Sequence, residues 1–462
     1  MTGTVRAGYR FDRGFPAPGA AGRAADDADL ARAVLAYRAW YPTVSTEGML
    51  AGNADMGIRT SEDMIVLTAG PRHLGFTLNS DTPYGSMLFD LTDGPMVVEL
   101  PPGPFVGLVD DHHQRWVLDM GLPGPDQGHG GKHLILPPDH AGSVPPGYHV
   151  GRARTNTVLV AIRALPMDGD AAAAMRALRD VRIHRFADDA EPELANFVDV
   201  TDRDFDSTPL RWEDNLGFWE RLHAAVDGEP ADPALDHPYG LLAALGIERG
   251  KPFAPDDRMR EILTAAARTG RDQLLVSAFA SNRPDRIAWP DRQWEWVGLV
   301  AENGDFRTPA GPDLEARERW FGQAIVASPA MFRREPGAGS LYWLGLRDGT
   351  GAFLDGGGYY TLTVPGPVPA GLFWSITGYD AGTRSQIATA QQRAAVRSLF
   401  ELPAQTGTEP ITLFFGPQPP PEGAERWIAT VPGRGWFSYF RIYGPQAGAF
   451  DGSWRLPDFQ RH

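Results

Sequence analysis

Residues 107–131, GLVDDHHQRWVLDMGLPGPDQGHGG, hold four acidic residues and three of the chain's eleven histidines within twenty-five positions. Apolar, strand-like sequence lies on both sides. In a strand, alternate side chains share a face. Asp111, His113 and Arg115 are then expected on one face, and Asp110, His112, Gln114 and Trp116 on the other. The bulk of Trp116 belongs against a core, which turns the Asp111 face toward a cleft. There His113 is the candidate acid/base, with Asp111 orienting it and Arg115 holding an anionic group. Desolvation would lower the His113 pKa and Asp111 would raise it, leaving an imidazole near neutrality. His112, with His129 and His133 on the glycine-rich stretch that follows, forms a candidate set for one divalent metal ion. A plainer alternative is that these charges cap a strand end and face solvent or a domain seam.

Two further groups carry chemistry. Asp81, Thr82 and Tyr84 sit just before a strand, where Asp81 either closes an Asx-type turn or, with the Tyr84 hydroxyl, rims a substrate pocket. Trp374, Tyr379, Asp380 and Arg384 cluster at a strand end, and Arg441 lies inside the last long strand. A buried arginine in a strand needs a partner, either an aspartate or a substrate carboxylate. Trp374, Tyr379, Asp81 and Arg441 are the substrate-binding candidates, and Tyr84 joins the catalytic ones. The chain has no HExxH, GxSxG, Walker or post-strand GxGxxG motif, and GHGGK at 128–132 lacks phosphate-loop spacing. Thirteen tryptophans are expected mainly in cores.

Composition narrows the partners. A chain of 462 residues exceeds one ordinary core, so two or more domains are expected. A formal net charge of −15 argues against nucleic acid and anionic membranes. The absence of cysteine removes disulfides, thiolate ligands and a cysteine nucleophile. No apolar run approaches a membrane span and no signal peptide is visible, so a soluble, cytoplasmic protein is the expectation.

The elements that must position these groups can be read in order. Residues 1–29 form a Gly-, Pro- and Ala-rich arm, in which Asp26, Asp27 or Asp29 caps a first helix that Pro42 stops. Short strands follow at 84–91, 96–100, 105–111, 114–120, 133–136, 148–151 and 157–165, punctuated by proline pairs. Helices are expected at 171–181, 209–226, from Asp256-Asp257 to Gly270, and at 314–327. Strands return at 341–346, 359–364, 372–377, 411–415, 427–430 and 436–443.

At this point the sequence shows a resemblance. The run from Asp119 onward, DMGLPGPDQGHGGKHLILPPDHAGSVPPGYHVGRARTNTVLVAIRAL, resembles the bacterial domain-of-unknown-function family 1254, as do WYP at 40–42 and NSDTPYGSMLFDL at 79–91. LDGGGYYTLTVP, FWSITGYDAGTRSQIATAQ and DGSWRLPDFQR resemble the companion family 1214. His112, His113, His129 and His133 stand where other residue types are expected, and many members carry a signal sequence. The resemblance implies a two-domain, mainly β protein with jelly-roll or C2-like sandwiches. It divides the chain into an arm (1–29), a β-sandwich (30–200), a helical linker (201–334) and a second, jelly-roll domain (335–462), and names no reaction.

Together these readings favour an enzyme acting on a small organic molecule between the two β domains. Its chemistry would be acid/base, of hydrolase or lyase/isomerase type and without a redox cofactor, in a homo-oligomer. The alternative is a non-catalytic C2-like or jelly-roll module that binds a ligand or metal.

Overall fold

The β-branched and aromatic runs form two pairs of sheets, with one long helix before the first pair and the other bundle helices between the two pairs in sequence. The structure, a computed structural model, describes residues 8–187, 193–299, 303–337, 339–402 and 407–462. Residues 1–7 of the expected arm lie outside these.

The N-terminal β domain contains β1 (Asp63–Thr68), β2 (Pro83–Asp90), β3 (Met96–Leu100), β4 (Phe105–Asp111), β5 (Trp116–Gly121), β6 (Gly131–Leu136), β7 (Tyr148–Arg152), β8 (Thr157–Ala164), β9 (Arg182–Arg185), β10 (Glu193–Leu194) and β11 (Asn196–Asp199). One sheet has six strands in the order β11-β1-β2-β8-β4-β5, the other five in the order β7-β6-β3-β9-β10. Met64, Val66, Met87, Phe89, Val160 and Ile162 of the first meet Met96, Val98, Ile135 and Ile183 of the second in one core. Each such side chain contributes roughly 1.5–3 kcal/mol by leaving water.

The C-terminal β domain repeats the plan with β12 (Glu295–Trp296), β13 (Ser340–Gly345), β14 (Tyr360–Val364), β15 (Ala370–Asp380), β16 (Ala395–Arg397), β17 (Ile411–Gly416), β18 (Trp427–Ala429), β19 (Trp436–Pro445) and β20 (Gln460–Arg461). Its sheets run β12-β13-β19-β15-β16 and β18-β17-β14-β20. Trp343, Trp374, Ile376, Phe440 and Ile442 pack onto Leu362, Leu413, Phe415 and Ile428. Mainly β architecture in two β-rich domains is thus what the chain adopts.

The helices depart from expectation in instructive ways. Helix α1 runs Ala20–Met56 through Pro42. A proline inside a helix costs about 3 kcal/mol or more locally. Here residues 40–46 are buried, and α1 packs into a shared core with α3 (Gly217–Gly228), α4 (Asp236–Ala244) and α5 (Asp257–Ala280). That tertiary packing outweighs the local cost. The Pro42 carbonyl also accepts from Gln114 Nε2 at 2.8 Å, tying α1 to the segment after β4. Asp26 and Asp29 lie within α1 instead of capping it, and pair with Arg258. Gly270 does not end α5 either: a Cβ there would sit 2.4 Å from Tyr37 Cδ1, so the glycine lets α1 and α5 approach closely. Helix α2 (Ala171–Leu178) matches its expected start, whereas the segment from 209 becomes regular helix only at Gly217, and α6 (Leu314–Phe321) stops before 327. Among the described residues no helix is long and apolar enough to cross a membrane.

Candidate functional site

Both of the larger sheets are covered on two faces, and period-two alternation decides what each face carries. On β19, Trp436, Phe440 and Ile442 enter the C-terminal core, so Tyr439, Arg441 and Tyr443 emerge on the opposite face. On β8, Val158, Val160 and Ile162 enter the N-terminal core, which leaves Leu159, Ala161 and Arg163 outward. These two outward faces meet at the seam between the domains. Leu165, Phe373 and Tyr443 form one buried cluster across it. Ser375 and Tyr443 donate to Asp81 Oδ2 at 2.7 and 2.8 Å.

The seam leaves a cavity of about 130 Å³, lined on one side by Tyr84, Leu108, Asp119 and Arg163 and on the other by Tyr342, Tyr439 and Arg441. Ile325, Val326 and Met331 cover its end. A cavity of this size accepts a ring such as benzene.

One end of the cavity is polar in a particular way. Arg441 is 2 % exposed. Its guanidinium donates to Thr377 Oγ1 (3.1 Å), the Thr77 carbonyl (3.0 Å) and the Tyr379 hydroxyl (2.7 Å), while its Nε has no partner. Tyr379 in turn donates to the Leu78 carbonyl at 2.9 Å. Arg163 donates to Thr82 Oγ1 (2.8 Å) and Tyr443 (2.7 Å) and lies over the Tyr84 ring. Neither guanidinium makes an ion pair with a carboxylate among the described residues. Asp81 lends both of them its field from behind the hydroxyls, but its Oδ1 is buried without a partner. At this end of the cavity the two guanidiniums thus share the field of one carboxylate that pairs with neither, and buried charge is costly unless something compensates it.

The same cavity holds an acid. Asp119, 5 % exposed, has its carboxyl pushed up to about 6 by burial, against the lowering effect of the Ser328 hydroxyl. Its Oδ1 has no hydrogen-bond partner. A carboxyl tuned toward neutrality can give or take a proton at working pH.

The 107–131 run does not behave as one strand. β4 ends at Asp111 and β5 starts at Trp116, so residues 112–115 are a hairpin turn, and the pairing register shifts between Val109 and Asp110. The expected common face of Asp111, His113 and Arg115 is therefore absent, because alternation fails where the chain turns. Asp111 Oδ1 instead accepts the backbone amides of His113 (2.9 Å) and Arg115 (3.0 Å), holding the turn. Gln114 adopts a left-handed φ of 54°, a conformation rare for such a residue. Its side chain is held by the Pro42 carbonyl and the Val326 amide.

The histidines are distributed among separate partners. Asp111 does not orient the His113 ring; Thr43 Oγ1 contacts its Nδ1 at 2.9 Å and Trp40 meets it edge-on. Burial, His112 and Arg115 hold the His113 pKa well below the usual histidine range, so it is a poor proton acceptor at neutral pH. His112 lies between Glu229 (Nδ1, 2.8 Å) and Glu47 (Nε2, 3.0 Å). Burial alone would depress it, but the two carboxylates win and raise it to about 9. A charged imidazole does not ligate a metal. His129 bonds the Asp126 carbonyl. His133 sits in β6, on the strand expected at 133–136, between Asp126 Oδ1 (3.2 Å) and the Val98 carbonyl. Among the described residues no three His, Asp or Glu side chains are grouped to hold a metal ion.

The other candidates divide. Tyr84 and Arg441 line the seam cavity, and Asp81 and Tyr379 stand directly behind it through their bonds to Tyr443 and Arg441. Trp374 faces away, stacked on Phe440 in the C-terminal core at 5.3 Å between centroids, because it has the opposite parity to Ser375 and Thr377 on β15. Arg384 pairs with Glu213 at 2.6 Å and meets Tyr41 at 3.1 Å, a buried tie between the C-terminal domain and the helices. Arg163, Asp119, Tyr342 and Tyr439 were missed. Parity could have found Arg163, since it alternates with Val160 and Ile162 on a strand already expected.

Comparisons with known proteins agree with this division. Residues 66–185 match the family described as protein of unknown function DUF1254, and residues 339–447 the one described as protein of unknown function DUF1214. The chain is thus a two-domain protein with a DUF1254 region followed by a DUF1214 region. The crystal structure of the VPA0106 protein from Vibrio parahaemolyticus shares its fold, with a TM-score of 0.58 and 16 % identity over 94 % of this chain and all of that one. An uncharacterized protein from Burkholderia cenocepacia aligns over 95 % of this chain and 96 % of its own, with a TM-score of 0.41 and 12 % identity. None of the curated proteins matches the chain.

Proposed function

We propose that this protein is an enzyme that binds a small organic anion, a carboxylate on an apolar body of about one ring, in the cavity between its two β domains. Arg441, helped by Arg163 and the hydroxyls of Tyr84 and Tyr342, holds the carboxylate. Asp119 moves a proton to or from the substrate, in a hydrolase or lyase/isomerase type of reaction. In this reading the paired sheets are sandwiches of the jelly-roll or C2-like kind that serve as rigid walls. The observation that carries the proposal is that buried Arg441 and partly buried Arg163 line this largely apolar cavity without a carboxylate ion pair among the described residues. Guanidinium–carboxylate pairing in such a place is geometrically specific and strong.

The test is fluorine NMR with 4-fluorobenzoate and related small fluorinated carboxylates on the full chain. Wild type is expected to bind at least one of them saturably. Arg441→Met should weaken that binding about a hundredfold, in line with removal of one partner of a desolvated charge pair. Asp119→Asn should leave binding within a few-fold while slowing any turnover by about 10² or more. Equal affinity in wild type and Arg441→Met would overturn the reading.

A further inference from the structure

The seam cavity leaves His113 and its neighbours unused, and they face a different space. A second cavity, of about 340 Å³, lies between α1, the hairpin turn at 112–115, the start of α4 and the segment leading into α6. Its volume falls within the usual range for small-molecule sites. The walls are largely apolar and aromatic, with Trp40, Phe306 and Phe321 among them. Leu35 and Leu314, 51 % and 61 % exposed, also line it and mark its solvent side.

Most of the charges around this cavity are already matched. Arg38 is paired with Glu318 and Arg115 with both Asp111 and Asp232. Arg317 is different. Its guanidinium donates to the Ala39 carbonyl at 3.0 Å and lies over the Phe321 ring, but it makes no ion pair among the described residues. Desolvation pulls it down to about 10, so it stays a cation at neutral pH while partly buried. Asp305 is the lining carboxylate left to oppose it, against Arg154 and Arg307, which also line the cavity and are exposed. The balance is positive.

A second, independent group points into the same space. His113 is 3 % exposed and lines the cavity. Its Nδ1 is occupied by Thr43 Oγ1, and its Nε2 is buried with no hydrogen-bond partner. A buried ring nitrogen without a partner carries its full desolvation penalty, which a ligand group would recover. In the tautomer in which Thr43 donates to Nδ1, the neutral ring carries its proton on Nε2 and offers it to an acceptor oxygen; in the other, Nε2 accepts from a ligand donor.

We propose that this cavity is a second ligand site, separate from the seam, that takes an aromatic carboxylate larger than the seam ligand. Arg317 and His113 Nε2 hold the carboxylate, and Trp40, Phe306 and Phe321 enclose the ring system. Helix α6 is a wall shared by the two sites: Arg317 and Phe321 line the second, while Trp320 lines the first. The proposal does not depend on the reading of the seam.

The experiment uses 6-fluoro-2-naphthoate, a two-ring carboxylate too large for the seam cavity, titrated against the full chain by fluorine NMR. Wild type should bind it saturably below about 1 mM, a modest affinity of roughly −4 kcal/mol. Arg317→Met and His113→Phe should each weaken it at least tenfold. Leu314→Trp, a change at an exposed position that keeps the fold, should block it by filling the mouth. Arg441→Met should leave it unchanged. The proposal is overturned by no saturable binding in wild type, by unaltered binding in both Arg317→Met and Leu314→Trp, or by loss of binding in Arg441→Met.

Discussion

Arginines line both the seam cavity and the cavity beside the helices, yet the two handle charge differently. Beside the helices, Arg38 and Arg115 each meet carboxylates, whereas Arg317, less exposed than Arg154 and Arg307, makes no ion pair among the described residues. At the seam, Arg163 and Arg441 are held by hydroxyls and backbone carbonyls. Paired arginines tie elements together; an arginine held by neutral groups keeps its charge available. The distinction between structural and ligand-facing arginine therefore lies in the partner, not in burial, since Arg384, paired with Glu213, is as buried as Arg441.

The largest effect expected from this comparison is a contrast in stability. Arg384→Met leaves Glu213 buried with Arg271 as its remaining cation, and breaking such a pair costs about 3 kcal/mol or more. Arg441→Met orphans no carboxylate and should cost about 1 kcal/mol, the scale of ordinary hydrogen bonds, even as it removes seam binding. Chemical denaturation of both variants measures this. Similar losses in the two would erase the distinction.

A second effect, of similar or smaller size, belongs to His112. Its folded pKa of about 9 lies above the unfolded value near 6.5. Its stabilising contribution is therefore complete below pH 6.5 and is lost as pH rises through 9, amounting to about 3 kcal/mol. Glu47, Glu229 and the neutral His113 ring surround it. Wild type should show a falling melting temperature between pH 7 and 9.5 that His112→Gln lacks. Parallel profiles for the two proteins would contradict the charged state assigned to His112.

The smallest effect is a gain. Asp119 has a folded pKa of about 6, above its unfolded value near 3.9, so ionising it opposes folding. Stability from this group is complete below pH 3.9 and is lost as pH rises through 6. Asp119→Asn should thus stabilise the protein at pH 8 by up to about 3 kcal/mol, and by nothing near pH 4. Calorimetric melting at the two pH values checks this. A variant that is destabilised at pH 8 would show that the Asp119 carboxylate is structurally welcome.

Much of this was legible in the chain. Strand positions such as 96–100 and 105–111 coincide with observed strands, because alternating apolar residues and proline punctuation act over a few residues. The family motifs likewise mark the two regions at 66–185 and 339–447. Tyr84, Asp81, Tyr379 and Arg441 were identifiable as polar groups on strands or at their ends, and all four come to the seam. The cluster at 110–113 was visible too, as a concentration of charge.

Tertiary structure decided the rest, wherever the deciding partner is distant in sequence. Pro42 is tolerated in α1 because α3, α4 and α5 bury the helix around it. His112 is charged because Glu47 and Glu229 reach it from 65 and 117 residues away. His113 faces another cavity because the chain turns at 112–115 and Gln114 is pinned by Pro42 and Val326. The seam cavity itself exists because two strands more than two hundred residues apart, β8 and β19, present their outward faces to each other. Local sequence sets which face a side chain takes on its own strand; only the packing of one sheet against another sets what that face meets.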